Sequence, residues 1–294
     1  MILRNPLALA NWKMAMTIAE SLAFVKDFQT LAADALEKVE IILCPPYTAL
    51  WPVAQALGKD RPQADDHDRV PSLPETPDGT YTPPTKLCTP MTTLQLGAQN
   101  LAATTDLART GQISAVLLAD AGCEWVMLGH WEVRRHLGDD DTIINRKLHL
   151  ALEAGLRPVL FVGEARDETA STTAVLENHL RRALEGCTAE QVACMAFVYE
   201  PEGAIGVGSP VSLEHVEPAC TFIRSWLRVE WGQAAAERAR VIYGGSVTPE
   251  TAPELLACSD LDGLAATRRG RNSKAFAEMV RLIAAARGGS TSSR

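Results

Sequence analysis

The stretch that decides the fold is Met195-Ala-Phe-Val-Tyr-Glu-Pro-Glu-Gly-Ala-Ile-Gly-Val-Gly208, where an apolar run leads into a carboxylate and a glycine-rich segment. Residues 195–199 have no polar interruption, which predicts a short strand covered on both faces, as in a parallel sheet. The proline that follows Glu200 cannot donate to a strand ladder and ends the strand. Gly206 and Gly208 allow close backbone approaches. The pattern predicts a mobile loop with an acid or base at its root, although an ordinary strand-to-helix turn has the same pattern.

The same alternation of a short apolar run and a longer helical pattern occurs eight times along the chain. Strict alternation implies a parallel sheet with helices outside, and eight units fit a closed α/β barrel of the (β/α)8 type. A doubly wound open sheet is the rival, but no Gly-x-Gly-x-x-Gly opens an early helix, which weakens its dinucleotide-binding version. The predicted strands are Leu7–Ala10, Glu40–Cys44, Leu94–Gly97, Trp125–Leu128, Pro158–Val162, Met195–Tyr199, Val241–Tyr243 and Gly263–Ala266. The predicted helices are Thr17–Leu36, Thr48–Leu57, Ile113–Ala121, Asp141–Ala154, Thr169–Glu185, Leu213–Trp231, Pro249–Ala257 and Ser273–Ala286.

One stretch breaks this rhythm between the second predicted helix and the third predicted strand. Residues 58–91 are rich in proline and charge, which excludes a regular helix or a central strand. We interpret them as an insertion at the N-terminal end of the barrel, opposite the expected active site. The chain is therefore predicted to be a single-domain barrel over residues 1–287, with the insertion at 58–91 and a flexible tail at 288–294.

Composition narrows the class of protein. The 294 residues carry a formal net charge of -8, which argues against a nucleic-acid partner. No apolar run approaches the ~20 residues that cross a bilayer, and the N-terminus lacks the apolar core of a signal peptide, so we expect a cytoplasmic protein without a membrane partner. The seven cysteines form no Cys-x-x-Cys pair and the six histidines have no ligand-like spacing. We therefore expect reduced thiols, no metal and no cofactor.

Polar residues follow most of the predicted strands. In a (β/α)8 barrel the chemistry is built just past the C-terminal ends of the strands, and this C-terminal rim would collect a cation, an imidazole, carboxylates and glycine-rich turns. Such a set suits proton transfer next to a carbonyl, because a carboxylate can remove the proton while the imidazole and ammonium stabilise the enediolate and loop amides hold a phosphate. The residues are Asn11 and Lys13; Gln99 and Asn100; His130 and Glu132; Glu164; Glu200; Gly244, Gly245 and Ser246; and Thr267, Arg268 and Arg269.

Each of these residues also has an ordinary structural explanation. Lys13 alone is typical of a solvated charge, and His130 alone is typical of a hydrogen-bonded structural histidine. Residues 244–246 alone could be the entry to a capped helix. The occurrence of all these residues together favours a catalytic role, because unrelated structural roles would have to place polar residues at the same end of five strands by chance.

Six motifs then carry a more specific resemblance. They are Asn11-Trp-Lys-Met14, Gly97-Ala-Gln-Asn100, Leu128-Gly-His-x-Glu132, Tyr199-Glu-Pro201, Ala204-Ile-Gly-x-Gly208 and Tyr243-Gly-Gly-Ser-Val247. In sequence and in order they resemble the triosephosphate isomerase family, over nearly the whole chain apart from the insertion and the tail. The resemblance implies a TIM barrel and an aldose-ketose phosphate isomerase of glycolysis and gluconeogenesis that interconverts dihydroxyacetone phosphate and glyceraldehyde 3-phosphate. Thr105 and Thr110-Gly111 match the family's dimer loop, which implies a homodimer.

The resemblance also implies a role for each matching residue. Glu200 matches the base that moves a proton between C1 and C2, and His130 matches the neutral electrophile of a family that is a standard case of paired pKa tuning. Lys13 with Asn11 matches the electrostatic pair near the substrate oxygens. Glu132 matches the carboxylate that positions Lys13. The implied substrate-binding or phosphate-binding residues are Gly206, in a lid that excludes water, with Gly245, Ser246, Thr267 and Arg268.

The chain departs from the family at the lid and at the phosphate loop. Pro201-Glu202-Gly203 lacks the aromatic residue of the family's first hinge, and Ser209-Pro210-Val211 stiffens the second. Thr267-Arg268 stands where the family has two glycines, so a guanidinium could replace or supplement backbone contacts to the phosphate. Trp131 and Val133 replace a Ser and an Arg. These changes leave two alternatives open: an isomerase of a four-carbon ketose phosphate such as a tetrulose phosphate, and a sugar-phosphate-binding barrel without turnover.

Overall fold

The computed structural model describes residues 4–59, 94–168, 170–206 and 212–287. Eight parallel strands close into one barrel in chain order, because the first strand pairs with both the second and the eighth. The (β/α)8 fold is thus confirmed, and each predicted strand is confirmed to within one residue at either end. The strands are β1 (Leu7–Asn11), β2 (Glu40–Cys44), β3 (Leu94–Ala98), β4 (Trp125–Leu128), β5 (Arg157–Val162), β6 (Ala196–Tyr199), β7 (Arg240–Gly244) and β8 (Gly263–Ala266).

The strands lack a polar alternation because both of their faces are buried. In β1, Leu7 and Leu9 point into the barrel, where they pack with Ile42, Trp125 and other apolar side chains. Ala8 and its alternate neighbours instead pack outward, against the helices. Successive side chains of a strand point to opposite faces, so one continuous apolar run fills the barrel and covers its outside.

Helices follow the strands as predicted, although several ends differ. Thr17 lies outside its helix because its side chain caps it in a reciprocal box with Glu20. The predicted end at Trp231 coincides with a break at Gly232, where φ is 84°. None of the helices in the described ranges has the length and apolar character to span a bilayer. The helices are α1 (Ile18–Leu31), α2 (Leu50–Ala56), α3 (Ala115–Asp120), α4 (Trp131–Leu137), α5 (Asp141–Glu153), α6 (Thr172–Ala183), α7 (Ala189–Ala193), α8 (Leu213–Arg238), α9 (Ala252–Leu255) and α10 (Ser273–Arg287). Of these, α4 and α7 were not predicted.

Most of the predicted insertion lies outside the described residues, as do the tail at 288–294 and the second lid hinge at 209–211. Where the insertion begins, Gly58 adopts a left-handed turn and Lys59 pairs with Glu124. Glu124 directly precedes β4, so residue 59 lies at the N-terminal end of the barrel. The division of the chain into a barrel, an insertion and a tail stays a prediction.

The cysteines match the expectation only in part. Cys44, Cys123, Cys187, Cys220 and Cys258 are free thiols. Burial raises the pKa of Cys123 and of Cys187 to about 12, which keeps these thiols protonated near neutral pH. Cys194 is disulfide-bonded, so the expectation of reduced thiols throughout is wrong at this position. Spacing along the sequence could not reveal this bond, because a disulfide depends on the approach of two side chains in the folded chain.

Candidate active site

The loop after β1 holds Lys13 in an unusual backbone conformation. Its φ is 52°, in the left-handed region that costs a residue with a Cβ roughly 1–2 kcal/mol. Both of its backbone polar groups are bound: its N–H donates to Asn11 Oδ1 at 2.9 Å, and its carbonyl accepts from Gln99 Nε2 at 2.8 Å. Gln99 also donates to the Cys44 carbonyl at 3.0 Å, which ties this loop to the end of β2. The strained turn is therefore fixed by a side chain from the end of β1 and one from the loop after β3.

The ammonium group of Lys13 is directed across the C-terminal rim. Its Nζ forms an ion pair with Glu132 Oε1, in the first turn of α4. Both side chains are partly exposed, whereas Asn11 beneath them is buried. An exposed pair of this kind adds little to stability. Its effect is to orient a cation that stays accessible from the rim.

His130 caps the helix that follows β4. Its Nδ1 accepts a hydrogen bond from the Glu132 N–H at 3.1 Å, in the position that a serine or aspartate side chain usually occupies. A nitrogen that accepts this bond carries no hydrogen, so the tautomer assigned by this bond has its proton on Nε2. Nε2 lies 3.4 Å from Glu200 Oε2, and the ring packs edge-on against Phe161. The cap thus directs an N–H donor towards the carboxylate after β6.

Glu200 is a buried carboxylate with few partners. Burial raises its pKa above the ordinary value, Glu132 adds to the rise, and His130 and Lys13 oppose it. Its Oε2 has no hydrogen bond within the described residues, and His130 Nε2 is its neighbour at 3.4 Å. A buried carboxylate that keeps an unsatisfied oxygen is typical of a general base.

Two glycines make room for this carboxylate. A Cβ on Gly163, at the end of β5, would lie 2.2 Å from the Glu200 carbonyl oxygen. A Cβ on Gly244, at the end of β7, would lie 2.8 Å from Val198 Cγ1 and 3.1 Å from Glu200 Oε1. Strands on both sides of β6 therefore need glycine at the level of Glu200 because side chains there would displace it.

The residues implied in phosphate binding lie in the loops after β6, β7 and β8. Ser246 Oγ donates to the Ala204 carbonyl at 3.0 Å, which joins the loops after β6 and β7. Gly206 is exposed in the first of these loops, while Gly208 lies outside the described residues. Thr267 and Arg268 follow β8, which is hydrogen-bonded to both β7 and β1, and Arg268 is exposed.

Some functional contacts were missed from the sequence. Trp131 was noted only as a departure from the family, but its indole Nε1 donates to the Glu200 carbonyl at 3.0 Å. Glu164 accepts from Tyr199 Oη at 3.0 Å and lies 2.7 Å from His215 Nε2. No sequence signal identifies these bonds, since they join residues 35 to 69 positions apart.

The arrangement has the parts needed for proton transfer beside a carbonyl. A carboxylate with an open oxygen faces an imidazole N–H donor, and an oriented ammonium completes the rim. Together they can take up a proton and stabilise negative charge on an adjacent oxygen. Within the described part of the chain, no group of three or more histidine, cysteine, aspartate and glutamate side chains is arranged to hold a metal ion.

Comparison with known proteins agrees with this geometry. The family model described as "Triosephosphate isomerase" matches residues 6–71 and 75–283. The triosephosphate isomerase of Carboxydothermus hydrogenoformans is 35% identical over 263 residues, covering 89% of this chain and 92% of that protein. That of Symbiobacterium thermophilum is 34% identical over 287 residues, covering 97% and 99%. The crystal structure of triosephosphate isomerase from Bartonella henselae is similar with a TM-score of 0.74 and 26% identity, covering 95% of this chain and 98% of that one.

Proposed function

The chain belongs to the triosephosphate isomerase family, and we propose that Glu200, His130 and Lys13 carry out its reaction. The reaction interconverts dihydroxyacetone phosphate and glyceraldehyde 3-phosphate and is part of glycolysis and gluconeogenesis. Its substrate is a small phosphorylated sugar. The family is a standard case in which a carboxylate base and an imidazole share the proton chemistry, and the roles are assigned here by matching positions.

The reaction proceeds through an enediolate in three proton transfers. The Glu200 carboxylate removes a proton from C1 of dihydroxyacetone phosphate, and the electron pair of that C–H bond forms a C1–C2 double bond while the C2 carbonyl electrons move to oxygen. The His130 Nε2–H and the Lys13 ammonium stabilise the resulting oxyanion. After the hydroxyl proton at C1 has moved to the oxygen at C2, the protonated Glu200 returns its proton to C2 and the aldehyde forms at C1.

The observation that carries this assignment is the contact between His130 Nε2 and Glu200 Oε2 at 3.4 Å. It brings a donor and a base from β4 and β6 to one point of the rim, with the Lys13–Glu132 pair beside them. The raised pKa of Glu200 has burial as its main cause, and it makes the carboxylate a stronger base once it is ionised. Asn11 and Glu132 act on Lys13, since one holds its backbone and the other its ammonium.

The phosphate is assigned to the loops after β6, β7 and β8. Gly206, Gly245 and Ser246 would offer backbone N–H groups to its oxygens, as small residues in turns commonly do. Thr267 and Arg268 would add a hydroxyl and a guanidinium, which can bind a phosphate with two hydrogen bonds. The exposure of Arg268 supports this role because the side chain is free of the barrel core.

A homodimer is also part of the proposal. The loop at 101–112 carries the almost fully exposed Leu107 (93%), and Met14 beside the rim is 98% exposed. Thr105, Thr110 and Gly111 in this loop are exposed as well. Large exposed apolar side chains next to a polar loop are typical of a surface that another chain covers. Light scattering after gel filtration tests it, and the cytoplasmic location stays a prediction.

The test of the chemistry is turnover of both triose phosphates by the wild type and by Glu200→Gln. We expect the wild type to interconvert them and the variant to lose about 10²–10⁴-fold in kcat, the usual contribution of a general base. Glu153→Gln, at an exposed position on α5, is the matched control and should keep full activity. Undiminished turnover by Glu200→Gln would remove Glu200 as the base.

The same assay decides between the two alternatives left by the sequence. Arg268 in place of a glycine favours a larger or differently held anion, so kcat/KM is also measured with a tetrulose phosphate. A strong preference for the triose phosphates excludes the four-carbon substrate. Saturable binding of phosphoglycolate without proton exchange at the substrate carbons would instead identify a binding protein without turnover.

A further inference from the structure

Glu202 lies two residues after Glu200 and is held by three hydrogen bonds. Arg135 donates to both of its oxygens, from Nε to Oε1 at 2.8 Å and from Nη2 to Oε2 at 2.7 Å. The Arg166 backbone N–H donates to the same Oε2 at 2.8 Å. The bond from Arg135 is the main reason that the pKa of Glu202 falls to about 2, so the carboxylate stays ionised near neutral pH.

The backbone of this segment is bound as well. The Glu202 N–H donates to the carbonyl of Glu164 at 2.9 Å, in the loop after β5. Two residues earlier, the Glu200 carbonyl accepts the bond from the Trp131 indole. The chain that carries Glu200 is therefore held both before and after Pro201.

Two of these contacts come from one face of α4. Trp131 and Arg135 are four residues apart, so their side chains lie on the same side of the helix. The guanidinium of Arg135 is 5.5 Å from the centre of the Trp131 ring, a cation–π distance, and that of Arg134 is at 5.8 Å. Helix α4 begins directly after His130. The helix that is capped by the imidazole therefore also binds the segment that carries Glu200.

We propose that Arg135 and Glu202 form a positioning ion pair that, together with Trp131, fixes Glu200 relative to His130. The inference rests on the proposed function, in which Glu200 is the base. Neither residue of the pair touches the reacting atoms, and the effect passes through the backbone on either side of Pro201. These contacts compensate for the missing aromatic hinge residue. The loop has Glu202-Gly203 at that position, and α4 supplies the indole and the guanidinium that bind it.

The pair is tested with Arg135→Gln, Glu202→Gln and the double variant. We expect each single variant to lower kcat roughly 10-fold while KM changes less than about twofold, since Gly206 is the only assigned phosphate contact in the loop that carries Glu202. The double variant should be no worse than the poorer single one, because both changes break the same interaction. Exchanging the charges, with Arg135→Glu and Glu202→Arg together, should recover part of kcat.

Two further measurements separate positioning from general stability. If Glu200 becomes more hydrated, the pKa rise caused by burial shrinks, so the acid limb of the kcat/KM profile should move to lower pH in the single variants. Hydrogen exchange of a peptide spanning residues 196–206 should be faster than in the wild type. Trp131→Phe keeps the ring but removes the N–H donor, and it should lower kcat about fivefold.

Arg181→Gln is the matched control. It breaks an exposed ion pair with Glu177 on α6 at 2.7 Å, with a side chain that is 58% exposed against 47% for Arg135, and should leave kcat and the pH profile unchanged. Unchanged kcat in both Arg135→Gln and Glu202→Gln overturns the proposal, and so does a fall in kcat without faster exchange or a shifted acid limb. Full activity of Glu200→Gln would instead overturn the assignment of Glu200 as the base. Failure of the proposed function and failure of the positioning pair are therefore detected with different variants.

Discussion

At the N-terminal end of the barrel, Asp262 lies between two guanidinium groups, whereas at the C-terminal rim Glu200 faces one imidazole. Asp262 accepts from Arg4 Nε at 2.5 Å, from Arg224 Nη2 at 2.6 Å and from the Val241 N–H at 2.7 Å. Both carboxylates are buried. One has its oxygens occupied by fixed donors, and the other keeps an oxygen with no hydrogen bond in the described residues.

A second carboxylate at the N-terminal end also lies between two guanidinium groups. Glu40 lies 3.2 Å from Arg157 Nη1 and 3.5 Å from Arg240 Nη2, at the first residues of β2, β5 and β7. The Arg157 guanidinium also lies 3.9 Å from the centre of the Trp125 ring. Burial lowers the pKa of Arg157 to about 10, which still leaves it charged at neutral pH.

The difference shows that a buried carboxylate can serve stability at one end of the barrel and chemistry at the other. A buried carboxylate whose oxygens are already bound by fixed donors holds the strands together and has no oxygen left to bind a substrate. A buried charge with incomplete partners costs stability, and the substrate can supply what is missing. Variants at the rim should therefore change turnover, and variants at the N-terminal end should change folding.

Among the variants that compare the two ends of the barrel, the largest effect on turnover is expected from Lys13→Met. Loss of the ammonium removes stabilisation of the developing oxyanion, so kcat/KM should fall about 10³-fold. The free energy of unfolding should change by no more than about 1 kcal/mol, because the pair with Glu132 is partly exposed. Steady-state kinetics and urea unfolding check both parts. A large loss of stability would break the comparison.

The next effect is expected at the opposite end, from Asp262→Asn. It leaves Arg4 and Arg224 without their shared anion, and breaking a buried ion pair costs about 3–5 kcal/mol of folding free energy. The kcat of the folded fraction should equal that of the wild type, since the residue precedes β8 at the far end. A fall in kcat at unchanged stability would contradict the division of roles.

A matched pair of glycine substitutions sharpens the comparison further. In Gly244→Ala the new methyl meets Val198 and the end of the Glu200 side chain, so we expect roughly a 10-fold loss of kcat with about 1–2 kcal/mol of destabilisation. In Gly263→Ala the methyl would lie 1.7 Å from the Leu7 carbonyl oxygen, and backbone cannot yield as a side chain can. That variant should lose folded protein, as thermal melts would show, without a specific loss of kcat.

The effect of Glu200→Gln on the free energy of unfolding should depend on pH, and its sign can be predicted. The folded-state pKa of Glu200 lies above its unfolded value near 4.5, so ionising it in the folded protein costs stability. The cost is absent below the unfolded pKa, grows as the pH rises, and is complete above the folded pKa. Glu200→Gln should therefore be more stable than the wild type at pH 8 and equally stable near pH 4.

Urea unfolding of both proteins at the two pH values measures this difference, with Glu153→Gln on α5 as the exposed control. A variant less stable than the wild type at pH 8 would show that the Glu200 carboxylate is stabilised where it lies. In that case the contrast with Asp262 would be lost.

Prediction from the sequence worked best where a pattern has a local cause. The run Met195–Tyr199 gave a strand because both faces are apolar, and β6 begins one residue later. Local prediction failed for α4, whose cap is His130 rather than a usual capping residue. It also gave no sign that Glu202, in the segment that lacks the family's aromatic hinge residue, is bound by Arg135 from another element.

The sequence by itself determined the eight strands, their order and the rim on which Lys13, His130 and Glu200 stand, because apolar periodicity and strand direction are properties of neighbouring residues. Only the tertiary structure decided which oxygen of Glu200 stays open, which helix holds its backbone and which charges at the other end are paired. These outcomes depend on distances between residues far apart in the chain. Burial and pairing set the free energy of a charge, and both exist only once the barrel has closed.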